Sequence, residues 1–105
     1  MFTIKSVEAT ALKIPFGDFH DGPRTSPRGW THFETVLVRV ESTDGAIGWG
    51  ESFAYGCARP VLAAVTDMVA PLVVSRTVED ISALNRELQR RLHIQGRYGI
   101  TIFAI

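Results

Sequence analysis

Glu51 is the one carboxylate in the run GAIGWGESFAYG, residues 45–56, and Phe53 and Tyr55 follow it directly. A carboxylate beside aromatic residues could act as a general acid or base. That work needs a second titratable group and a pocket, and no partner lies near Glu51 in the sequence. The competing role is a shell residue that braces the strand through backbone or basic contacts. Phe53 and Tyr55 could line a substrate pocket or simply pack in a core, since apolar rings serve both. A second group, His20, Asp21, Arg24 and Arg28, falls in a stretch rich in glycine and proline. His20 and Asp21 could meet a polar ligand or form a solvated loop tip.

Other chemistries find little support. His20, His32 and His93 are too scattered for a local zinc motif, and the single cysteine, Cys57, joins none of them. GAIGWG does not open a helix, so it is a poor dinucleotide fingerprint, and no phosphate-cradling loop is present. Arg90, Arg91 and Arg97 are offset by Glu79, Asp80 and Glu87, which reads as a solvated helix face. No catalytic residue and no metal ligand is assigned from these patterns.

The elements that would position Glu51 and its aromatic neighbours follow from periodicity. Residues 3–14 read as a strand that ends at Pro15. Its alternation slips between Ile4 and Val7, which predicts a bulge or twist. Residues 16–31 read as a long loop, a length that is usually functional or disordered. In ETVLVRVES, Val36, Val38 and Val40 share one face, with Thr35, Arg39 and Glu41 on the other and Leu37 the exception. Asp44-Gly45 predicts a hairpin. The returning strand places Ile47, Trp49 and Glu51 on one side and Ala46, Gly48, Gly50 and Ser52 on the other. That small face would let a backbone approach or let the strand bend.

From Pro60 the period changes to that of a helix. Val61, Val65, Met68 and Leu72 form one stripe, and Pro71 is expected to stop the helix near Ala70. Thr77 and Asp80 resemble a capping box. The next helix carries Ile81, Leu84, Leu88 and Leu92 on its apolar stripe, and Gly96 closes it. The expected fold is α+β, a three-stranded antiparallel meander followed by a helical bundle packed on one face.

Composition narrows the setting. The chain has 105 residues, 46% of them hydrophobic, and a formal net charge of zero. Neutrality gives no electrostatic case for nucleic acid or an anionic membrane. No apolar run approaches the ~20 residues of a membrane span, and the N-terminus lacks the pattern of a signal peptide. A cytoplasmic protein is expected. The chain stops on YGITIFAI, an unfinished apolar element, which predicts a single domain over residues 1–105 that is truncated within its last helix or completed by another chain.

Three segments, IKSVEATALKIPF, ETVLVRVESTDGAIGWGES and GRYGITIFAI, in that order, resemble the N-terminal capping domain of the enolase superfamily. The subgroup is that of mandelate racemase and muconate-lactonizing enzyme. The resemblance implies a lid over a (β/α) barrel that this chain lacks. The barrel would hold Mg2+ and the bases that take the α-proton of a carboxylate substrate. It also implies two specificity loops, here carrying Phe16, Phe19, His20, Asp21, Arg24, Phe53 and Tyr55, with Glu51 as a structural shell residue. The implied partners are the C-terminal barrel, a small carboxylate and further copies of the full-length enzyme. Dehydration of a sugar acid, a lyase reaction, is favoured by the polar loop. Racemisation or cycloisomerisation would suit the aromatics. The competing class is a stand-alone binding module without catalysis.

Overall fold

The structure, a computed structural model, describes residues 1–15, 32–96 and 99–103, with Ile100 and Phe103 described in their backbone only. Strands β1 (Phe2–Pro15), β2 (His32–Ser42) and β3 (Ile47–Phe53) form an antiparallel meander. The hairpin between β2 and β3 turns at Gly45, whose φ of 90° suits glycine. The Ser42 N–H donates to the Ala46 carbonyl at 2.9 Å, and the Asp44 carboxylate accepts from the Ser42 hydroxyl. The slip expected in β1 is a register shift between Ile4 and Ser6.

The expected three-strand meander is present, and a fourth strand extends the sheet, in the order β3-β2-β1-β4. The added strand is β4 (Thr77–Val78), which pairs with Phe2 and Thr3. Two residues are too few for a periodic signal. Contacts distant in sequence hold them: the Ile4 N–H donates to the Arg76 carbonyl and the Ser75 N–H to the Ile4 carbonyl. Thr77 is therefore no helix cap. Asp80 caps the following helix itself, accepting from the Ser82 N–H at 2.8 Å.

Pro71 does not stop the first helical run. Helix α1 (Ala58–Ala63) continues through a π-helical turn (Ala64–Val69) into α2 (Ala70–Val73). Proline has no N–H, and its ring crowds the carbonyl four residues back. A widened turn before it lets the helix pass without that clash. Helix α3 (Ile81–Leu92) buries Leu88 and Leu92, but Ile81 lies at its capped start and is 60% exposed, so the buried stripe begins later than the spacing suggests. A 3-10 turn (His93–Gln95) leads to Gly96 at φ 106°, and α4 (Ile100–Phe103) follows.

The helices cover one face of the sheet with two core clusters. Ile4, Val73, Val78 and Leu88 pack together near β4, and Val36, Ala54 and Val61 pack where β3 exits toward α1. The small face of β3 is not met by another backbone. A methyl group built at Gly48 or Gly50 would find nothing within 4 Å.

Candidate functional site

Side chains alternate across the sheet, so register decides which of them meet. Val36 faces the core between Ala11 and Ser52. Thr35 therefore faces the opposite side, directly between Leu12 of β1 and Phe53 of β3. Phe33, two residues earlier, shares that face and pairs with Ile14. This is the end of the sheet where β1 leaves, β2 enters and β3 exits.

Three rings gather there. Phe53 is 70% exposed and stacks on Tyr55 with centroids 6.1 Å apart and planes 13° from parallel. Tyr55 meets Phe33 edge to face at 5.7 Å and 66°. The turn that returns Tyr55 toward Phe33 is short. Ala54 is 1% exposed and anchors it from below, the Cys57 N–H donates to the Ala54 carbonyl at 3.0 Å, and Gly56 takes a φ of 69°. An exposed ring is held in place by a buried alanine one residue away.

Thr35 is only 4% exposed, and its hydroxyl has no hydrogen-bond partner among the described residues. Such a group forgoes water without replacing it, a cost of roughly 1–3 kcal/mol. Glu51 is exposed on β3, opposite Leu37, and makes no hydrogen bond or ion pair among the described residues. Phe16, Phe19, His20, Asp21 and Arg24 lie outside the described residues.

Phe53 and Tyr55 thus come together, and Phe33 and Thr35 join them without having been singled out in the sequence. The available signal was parity. Phe33 and Thr35 alternate with the core residue Val36, and the hairpin at Gly45 sets Thr35 against Phe53.

Charged groups concentrate toward the hairpin and β4. On the outer face Glu41 accepts from Lys5 at 2.6 Å and from Arg39 at 2.8 Å. These bonds, Lys5 first, hold its carboxyl below the ordinary value of 4.5. Glu87 takes two bonds from Arg76, at 3.0 and 2.8 Å, and one ion pair from Arg91. Arg76 is the main cause of its lowered pKa. An open groove of about 680 Å³ between α3 and α4 is lined by Arg86, Gln89, Arg90, His93 and Ile102, and includes none of the expected site residues. Among the described residues no group of three His, Cys, Asp or Glu side chains could hold a metal ion. None of the described helices is long and apolar enough to cross a membrane.

Comparison with known proteins bears on the family and the fold. Over 72 residues the chain is 35% identical to arabinonate dehydratase of Saccharolobus solfataricus, covering 69% of this chain and 19% of that one. A member of the enolase superfamily from Agrobacterium tumefaciens superposes with a TM-score of 0.77 at 26% identity, over 98% of this chain and 32% of that one. A racemase from Streptomyces coelicolor A3(2) with bound magnesium gives 0.76 at 26% identity, over 93% and 27%. The chain therefore spans between a fifth and a third of these relatives' lengths. Residues 23–105 match the family described as mandelate racemase / muconate lactonizing enzyme, N-terminal domain. With that match spread over most of an α+β sheet-and-helix fold shared with enolase-superfamily structures, the chain belongs to the mandelate racemase / muconate lactonizing enzyme family, as its N-terminal capping domain.

Proposed function

We propose that this chain is the substrate-specificity lid of an enzyme that removes the α-proton of a carboxylate, most simply in the dehydration of a sugar acid. The observation that carries the reading is the ring cluster of Phe33, Phe53 and Tyr55 at the loop end of the sheet, with Phe53 largely in solvent. A free domain gains nothing from exposing that ring, whereas a lid does. Closed over a substrate, the rings displace water and strengthen the electrostatics of the reacting groups. The likeness to arabinonate dehydratase supports a sugar acid, and the racemase neighbour keeps racemisation as the second reaction.

In this reading Mg2+ and the proton-transfer groups belong to a barrel domain. The chain's own part is to bind, orient and exclude water. Its partners are that barrel, a small carboxylate and further copies of the enzyme, in the cytoplasm.

The test is kinetic. In the full-length protein Phe53→Ala should lower kcat/KM for sugar acids such as arabinonate by roughly ten to two hundred fold. Magnesium affinity and melting temperature should barely move. The 105-residue chain alone should exchange no α-proton with solvent deuterium. Unchanged kinetics beside a large drop in melting temperature would make Phe53 a structural residue and overturn the lid.

A further inference from the structure

The hydroxyl of Thr35 is the one buried side-chain polar atom left without a hydrogen bond among the described residues. It faces the side of the sheet opposite the helices, beside Phe53 across the strand pair and Phe33 two residues back. Tyr55 spans both rings. A hydroxyl offers one donor and two acceptor sites. In register Thr35 lies between Leu12 and Phe53, and a buried polar group left unmet there destabilises the fold. A valine of the same shape would avoid that loss, so packing does not account for threonine at this position.

We propose that Thr35 is a specificity-determining residue, whose hydroxyl is kept unbonded in the free protein to bind a hydroxyl group of a polyhydroxy carboxylic acid beneath the rings. The chemistry matches that class. A sugar acid presents C–H faces that lie against aromatic rings and hydroxyls that both donate and accept. A flat apolar acid would satisfy the rings and leave Thr35 unmet. Phe53, with most of its ring in solvent, is the side chain free to turn aside and admit the ligand. This inference rests on the lid reading and adds the group that reads the substrate.

The experiment compares Thr35→Val and Thr35→Ser with the wild type in the full-length protein. Without substrate, Thr35→Val should melt a few degrees higher, because it removes an unsatisfied hydroxyl. With arabinonate it should raise KM by about five- to a hundredfold, while Thr35→Ser keeps KM near the wild-type value. A lower melting temperature for Thr35→Val would mean that the hydroxyl is bonded in the free protein, through trapped water or another group, and would overturn the proposal. So would an unchanged KM. If the wild type turns over no sugar acid, the proposed dehydration fails. Thr35 is then judged by the melting measurement alone, where a rise supports an unmet hydroxyl and a fall removes it.

Discussion

Among the described residues the two ends of the sheet differ in how their side chains are satisfied. At the hairpin and β4 end, Asp44 is bonded by Ser42, Glu41 by Lys5 and Arg39, Thr3 by Thr77, and Glu87 by Arg76. At the loop end a buried hydroxyl is unbonded among the described residues and an aromatic ring stands in solvent. The cores beneath differ as well. Ile4, Val73, Val78 and Leu88 pack under the first end, while the second rests on Val36, Ala54 and Val61. One end satisfies itself and stabilises the fold. The other carries, among the described residues, one unmet hydroxyl, the kind of local exception that natural sequences keep at functional sites.

That contrast is open to direct attack. The largest effect should come from Leu88→Ala, which empties a site that is 2% exposed. It should cost about 2–5 kcal/mol in urea unfolding and, in the full-length protein, leave substrate preference unchanged. A shift in preference would break the division between the two ends. Asp80→Ala, which removes the cap on the Ser82 N–H, should cost roughly 0.5–2 kcal/mol and leave the aromatic cluster intact.

Acid should act on the self-satisfied end. Glu41 and Glu87 have folded pKa values lowered from 4.5 by bonds to Lys5 and Arg39 and to Arg76. Their contribution is present above the ordinary value and is lost as pH falls through the lowered folded values. Melting temperature should therefore decline below about pH 4.5, with Glu87→Gln flattening part of the decline; a profile identical to the wild type would remove Glu87 from the account. High salt should weaken the same exposed pairs. The smallest effect on stability is expected from Phe53→Ala, within about 0.5 kcal/mol, because its ring is already in water. A loss comparable to that of Leu88→Ala would show that the loop end is core after all.

Much of the fold was legible in the sequence because its causes are local. The Asp44-Gly45 turn needs a positive φ at Gly45, the alternation of Val36, Val38 and Val40 needs one buried face, and the parity slip after Ile4 needs a bulge. Leu88 and Leu92 were readable from helical spacing. What tertiary structure decided has causes distant along the chain. Thr77 and Val78 form a strand only because Phe2 and Thr3 lie beside them. Pro71 stays inside a helix because the π-helical turn widens ahead of it and buries Val65 and Val69. Of the site, the sequence supplied Phe53 and Tyr55 as rings beside a glycine-rich strand. Their junction with Phe33, and the burial of an unbonded Thr35 between β1 and β3, depend on register across three strands. Register sums contacts between residues more than fifteen positions apart in β1 and β2, and no window along a single strand contains that sum.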